Sequence, residues 1–184
     1  MYRRGMAKNL RTDRLTLVTL TPYLVRAALE DRAKLGLMLG ARVPVTWPGA
    51  DFARMLERLA EGGERASLWA EQTRLIVHEE DRTLIGETGF HGPPDRSGTV
   101  EVGYSIVPDY RGRGFAFEAT RALIDEALAR PEVCRITAAC HDDNAASLKV
   151  LEKLGMHFVG ATGDTLRFEL RKSTPWAPTN PATS

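Results

Sequence analysis

Glu101-Val-Gly-Tyr-Ser-Ile-Val-Pro-Asp-Tyr-Arg-Gly-Arg-Gly-Phe-Ala-Phe-Glu-Ala-Thr120 is the stretch that decides how this chain is read. Its first half alternates. Val100, Val102, Tyr104 and Ile106 fall on one side, and Glu101, Gly103, Ser105 and Val107 on the other, which predicts a strand running out at Pro108. From Ala116 the apolar spacing is helical. Ala116, Ala119, Leu123 and Ala127 make one stripe, Phe117, Ile124 and Leu128 a second, and Pro131 marks the stop. Between strand and helix stand Arg111, Gly112, Arg113 and Gly114, at a helix start that leaves backbone N–H groups unpaired and partly positive. Glycines let amides approach a ligand and arginines add charge, so the turn suits a phosphate or pyrophosphate. The plainer alternative is a tight connection with two solvated arginines.

Two phosphate motifs do not fit. A Walker loop ends in Gly-Lys-Ser/Thr, which is missing here, and a dinucleotide fingerprint needs a small residue where this chain has Phe117. Arg111-Gly-Arg-Gly-Phe-Ala116 instead resembles the acyl-CoA loop of the GCN5-related N-acetyltransferase (GNAT) family, Gln/Arg-x-x-Gly-x-Gly/Ala, filled by Arg111, Gly114 and Ala116. The preceding Glu-Val-Gly-Tyr-x-Ile-x-Pro and the following Glu118-Ala119 resemble the RimJ/RimL-type branch, which acetylates protein N-termini and similar amines.

The 184 residues are expected to form one domain over 11–171, between a loose tail at 1–10 and a proline-bearing tail at 172–184. A hydrophobic content of 43% and a net charge of +1 are ordinary for a soluble protein and carry no electrostatic footprint for nucleic acid or an anionic membrane. No apolar run approaches a membrane span, and the charged start has no apolar core behind it, so a cytoplasmic protein is expected. Cys134 and Cys140 are expected on one face of one strand, as reduced and mostly buried thiols.

In chain order, Arg14 to Leu20 reads as a first strand, and Thr21-Pro22 as the cap and first turn of a helix. A second helical piece surrounds Leu35 to Leu39, and Asp51 is expected to cap a helix that ends at Gly62-Gly63. Trp47 and Trp69 are candidates for the acceptor pocket, although tryptophans are more often packing anchors. Leu75 to His78 and Leu84 to Phe90 make a hairpin that joins the Glu101 strand in an antiparallel meander. After the central helix, Arg135 to Ala139 enters parallel as a fifth strand. His141 to Asn144 turns into a helix with Leu148, Leu151 and Leu154 buried and Gly155 as its stop, and a last hairpin closes the chain.

Asn144-Ala-Ala-Ser147 with Leu154-Gly155 repeats a second acetyltransferase pattern, Asn-x-x-Ala/Ser…Gly-Phe, with Met156 replacing the phenylalanine. The resemblance implies an α/β fold with a mixed, mostly antiparallel central sheet of six to seven strands flanked by helices. Strands four and five splay apart and acetyl-CoA lies between them. Backbone groups near Ile106 and Val107 would hold the pantetheine arm, the amides of Arg111, Gly112, Arg113, Gly114, Phe115 and Ala116 the pyrophosphate, and Asn144 the arm from the far side. Read from the residues alone, Asn144 is equally a helix cap.

Acetyl transfer needs a free amine, so a group must accept a proton from an ammonium of pKa about 8–10. The resemblance implies Glu101, on the central strand where the family often carries a base; Glu87 and His91, which share one face of the neighbouring strand, are runners-up. Many relatives carry an acidic tyrosine seven residues after the asparagine, where this chain has Leu151, while Ser147 matches a serine of the N-terminal acetylating branch. His78, His91, His141 and His157 show no metal-ligand spacing. The expectation is an acetyl-CoA-dependent N-acetyltransferase, monomer or homodimer, acting on a peptide N-terminus or a small amine. The alternative is a non-catalytic acyl-CoA sensor or interaction module.

Overall fold

The structure is a computed structural model that describes residues 9–172. Its front part comprises strands β1 (Leu10–Arg11) and β2 (Leu15–Thr19) and helices α1 (Pro22–Glu30), α2 (Arg32–Leu39), α3 (Ala50–Ala60) and α4 (Glu64–Glu71). Strands β3 (Thr73–His78), β4 (Thr83–Phe90) and β5 (Thr99–Ile106) lead into helix α5 (Phe115–Leu128). The chain closes with β6 (Arg135–His141), α6 (Ala145–Lys153), β7 (His157–Thr162) and β8 (Thr165–Arg171).

All strands join one sheet in the order β1-β2-β3-β4-β5-β6-β8-β7. Neighbours are antiparallel except β5 and β6, which α5 separates in sequence and which therefore run parallel. The mixed, mostly antiparallel α/β architecture is the expected one, with eight strands in place of six to seven. The extra pairing is β1, which lies on β2 with Leu10 opposite Leu17, at a boundary the sequence assigned to a loose tail. Asn9 ties it further, its Oδ1 accepting from Thr19 N at 3.1 Å. Residues 1–8 and 173–184, the rest of the expected tails, lie outside the described residues.

Side-chain caps mark three of the six α-helix starts among the described residues. Thr21 accepts from Leu24 N with Pro22 in the first turn, and Asp31 does the same for Lys34 N. Asp51 does not cap α3: the helix begins at Ala50 after Gly49, and Asp51 sits in its first turn paired with Arg54. Helix α4 was not foreseen, because after Gly62-Gly63 its eight residues carry no sustained apolar stripe.

Two apolar clusters fill the interior. One gathers Leu15, Leu17, Leu35, Trp47, Leu56 and Leu75 from the front strands and α2–α3, and the other sets Val100, Val102 and Ile136 against Leu123, Ile124 and Leu151 of α5 and α6. Helices α5 and α6 thus cover one face of β5 and β6. The two cysteines part ways: Cys140 is buried in β6, but Cys134 precedes the strand, is exposed, and donates its thiol to Ser97 O at 3.0 Å. The strand starts one residue too late to hold both.

Candidate active site

Pairing between β5 and β6 extends only over Thr99↔Arg135, Val100↔Ile136 and Glu101↔Thr137. Beyond Glu101 both strands continue, β5 to Ile106 and β6 to His141, without pairing to each other. The antiparallel ladder to β4 takes one alternating set of β5 backbone groups, including Glu101 O, which accepts from His91 N at 2.9 Å. The other set, at Val102, Tyr104 and Ile106, turns to the edge where β6 has moved away. A sheet interrupted in its middle leaves two open edges that a strand-like ligand can complete.

The open cleft ends at the turn before α5. A 3₁₀ turn over Pro108–Tyr110 follows β5, and Gly112 and Gly114 then adopt φ of +73° and +84°, a region costly for residues with a Cβ. Gly114 occupies the N-cap position without a side-chain cap, so the first N–H groups of α5 carry no side-chain acceptor. Arg113 lies 5.2 Å from the Tyr110 ring and 5.0 Å from the Phe115 ring, and Arg111 Nε donates to Ile106 O at 2.8 Å. Tyr110 and Phe115 are buried, and Tyr110 Oη donates to Asp81 Oδ2 at 2.8 Å, which fixes the turn from beneath. A second anchor holds it from the side. Glu118 accepts from Thr12 Oγ1 at 2.6 Å and from Arg14 Nε at 2.7 Å, while Arg14 Nη1 donates to Arg113 O at 3.2 Å.

Across the cleft, Asn144 Oδ1 accepts from Ser147 N at 3.0 Å, so the asparagine is the α6 cap. Its Nδ2 donors have no partner among the described residues. Ser147 Oγ meets Tyr104 Oη at 2.8 Å, linking α6 to β5 on the α5–α6 face. Burial pushes the Tyr104 phenol up to about 12, so it stays protonated at neutral pH. Leu151, at the position of the expected tyrosine, is 1% exposed and belongs to the core.

The opposite face carries the carboxylates. Glu87 pairs with Ser105 across β4 and β5 and lies under Trp47, whose Nε1 donates to Glu87 Oε2 at 2.8 Å. Burial pushes the Glu87 carboxyl up to about 7, against the hydrogen bonds from Trp47 and Ser105. Glu101 is half-exposed, and the imidazole of His91, its Nδ1 3.6 Å from Glu101 Oε1, holds that carboxyl below its ordinary value. Trp47 is therefore a packing anchor, and Trp69 is half-buried beside Gly92. Among the described residues no group of three or more His, Cys, Asp or Glu side chains lies close enough to hold a metal, and no helix is long and apolar enough to cross a membrane.

The acetyltransferase (GNAT) domain model matches residues 14–157. The chain belongs to this family. Over 152 residues this GNAT chain is 36% identical to the uncharacterized N-acetyltransferase YjdG of Bacillus subtilis (strain 168), covering 79% of this chain and 88% of that protein. The fold is that of the ribosomal-protein-S5-alanine acetyltransferase from Vibrio fischeri, with a TM-score of 0.63 at 20% identity, covering 93% of this chain and all of that one. It is likewise that of RimL, a ribosomal L7/L12 alpha-N-protein acetyltransferase determined in complex with coenzyme A, with a TM-score of 0.63 at 16% identity, covering 89% and 98%.

In this GNAT domain the fold brings Glu101, Ile106, Arg111 to Ala116, Asn144 and Ser147 to the borders of one cleft. Val107 is the exception: its N–H donates to Ile85 O at 2.9 Å and its C=O accepts from Tyr110 N at 3.0 Å, so it faces away from the open edge. The Thr12–Arg14–Glu118 tie was not legible, because no local pattern joins residues a hundred positions apart.

Proposed function

We propose that the β5–β6 cleft binds acetyl-CoA and that the enzyme passes the acetyl group directly to a primary amine in a ternary complex. The observation carrying this reading is the interrupted sheet: two unpaired strand edges that lead to a glycine-rich helix start. The edge groups of Tyr104 and the N–H of Ile106, whose carbonyl already accepts from Arg111 Nε, would pair with the amides of the pantetheine arm, and Asn144 Nδ2 would donate from the α6 side. The amides of Gly112 to Ala116, with Arg111 and Arg113, would take the pyrophosphate. CoA in the RimL complex supports the same ligand class here.

The two faces of the cleft divide the chemistry. Glu101 supplies negative charge on the open face, where an ammonium would approach. Ser147 and Tyr104 form a hydroxyl pair on the α6 face, suited to donate a hydrogen bond to the departing CoA thiolate. A thiolate of ordinary pKa about 8.5 also leaves unaided, so removing Ser147 should cost far less than removing the proton acceptor. A peptide N-terminus is favoured as acceptor over a small amine, because ribosomal-protein acetyltransferases recur among the structural neighbours.

Thermal denaturation with acetyl-CoA, CoA and adenosine tests the cleft. A ligand at 100 times its dissociation constant adds about 2.7 kcal/mol. The expected result is a clear shift with both CoA species and little with adenosine; no shift with any would sink this reading. Binding without thiol release from any amine would favour an acyl-CoA sensor instead.

A further inference from the structure

Gly103 is the second β5 residue past the last pairing with β6, and the space above it is taken. A Cβ at this position would stand 2.9 Å from His91 Nε2. The imidazole is drawn over the strand because His91 N donates to Glu101 O at 2.9 Å. Its Nδ1 faces Glu101 Oε1 at 3.6 Å. One ring nitrogen therefore addresses a carboxylate, and the other lies over the strand where the cleft opens. The His91 side chain is 52% exposed, so Nε2 stays within reach of an approaching molecule. A solvated surface ion pair would need no bare backbone beneath it.

We propose that His91 is the proton acceptor for the incoming amine and that Glu101 positions its ring. This inference rests on the reading of the cleft as an acetyl-CoA and amine site. The ammonium R–NH3⁺ gives one proton to His91 Nε2, and the free amine attacks the thioester carbon. The C–N bond forms, the C–S bond breaks, and CoA leaves as a thiolate that takes the second amine proton. The products are the acetylated amine, CoA thiol and a His91 imidazolium held beside the Glu101 carboxylate, from which water removes the proton.

An imidazole, of ordinary pKa about 6.5, lies much closer to an ammonium than a carboxyl does, and general-base efficiency follows that match. Glu101, held below its ordinary value by His91, is a poor proton acceptor and a good counter-charge. The charged groups around the ring are Glu101 on β5 and, acting on Glu101, Arg167 on β8.

The test uses the full chain, with H91Q, E101Q and, as a control, H157Q on exposed β7. Histidine ring resonances are followed by NMR against pH with acetyl-CoA or adenosine 3′,5′-bisphosphate. Acetyl-CoA should shift the His91 signal and the bisphosphate should not, and E101Q should weaken that response. A His91 signal indifferent to both overturns the proposal, with or without a known acceptor. Thiol release on peptides with free N-termini and on spermidine then supplies the kinetic readout. H91Q should lose about 10²–10³-fold in kcat/KM and the rising limb of its pH profile, with the acetyl-CoA Kd within about twofold of wild type. An H91Q enzyme within threefold of wild type overturns the inference. Failure of the wild type to bind acetyl-CoA would overturn the cleft reading instead.

Discussion

Glu87 and Glu101 sit on the same face of the sheet, on adjacent strands, and the fold treats them in opposite ways. Glu87 is buried, its partners Trp47 and Ser105 are neutral donors, and the carboxyl moves up to about 7. Glu101 faces solvent on one side and an imidazole on the other, and moves down. The difference comes from what covers each site. Trp47, 1% exposed, closes the Glu87 end, while the 91–98 loop leaves the Glu101 end open. A carboxylate becomes a charge tool where the sheet face is left open, and a group only half-ionised near neutral pH where Trp47 covers it.

The largest effect should come from breaking the cover. Trp47→Ala removes a fully buried ring, its 5.8 Å contact with Phe52, and the indole N–H that donates to Glu87. Chemical denaturation should register a loss of about 3–5 kcal/mol. A loss below about 1 kcal/mol would mean that Trp47 does not seal this end, and the contrast with Glu101 would collapse.

Glu87→Gln sharpens the same contrast, since the amide oxygen still accepts from Trp47. An acid whose folded pKa is raised binds its proton more tightly when folded, so stability falls as pH climbs from the ordinary 4.5 towards about 7 and is level above. Comparing unfolding free energies at pH 5 and pH 8, wild type should decline relative to E87Q by at most about 3 kcal/mol. A decline of the opposite sign would place a charge beside Glu87 that the structure does not contain.

How much of this the sequence revealed follows from the range of each interaction. The strand, turn and helix over 101–120 were legible because alternation, glycine and helical spacing are local signals, and the Asn144–Ser147 turn was legible likewise. The opposed fates of Glu87 and Glu101 were not, since both are strand residues with the same alternation; burial is decided by Trp47, forty positions away. Leu10–Arg11 escaped because two residues carry no period, and α4 because its apolar residues form no stripe. Cys134 was misplaced by a single residue of strand boundary, enough to exchange core for solvent.

Glu118 offers a third environment, partly buried yet ionised. Burial raises its pKa, but the bonds from Thr12 and Arg14 outweigh it and the net shift is downward. Its contribution is present above the ordinary carboxylate pKa and is lost as pH falls through the lowered folded value. Glu118→Gln should therefore cost about 1 kcal/mol or less at pH 7, where solvent screens the exposed Arg14 partner, and progressively less below pH 4.5. Because Arg14 also holds Arg113 O, calorimetry should detect weaker acetyl-CoA binding in the same variant.

The smallest stability change is expected at Glu101, where it is the most informative. The Glu101 side chain is 42% exposed and its partner 3.6 Å away, so Glu101→Gln should move the unfolding free energy by no more than about 0.5 kcal/mol at pH 7. Activity should fall nonetheless, with acetyl-CoA binding intact, because the carboxylate acts through the ring it faces. A variant that keeps its stability and loses turnover separates the two ends of this face cleanly: one carboxyl is sealed into the fold beneath Trp47, the other serves the cleft. If E101Q instead lost several kcal/mol while turning over normally, Glu101 would be the structural group, and the base would have to be sought at the Glu87 end beneath Trp47.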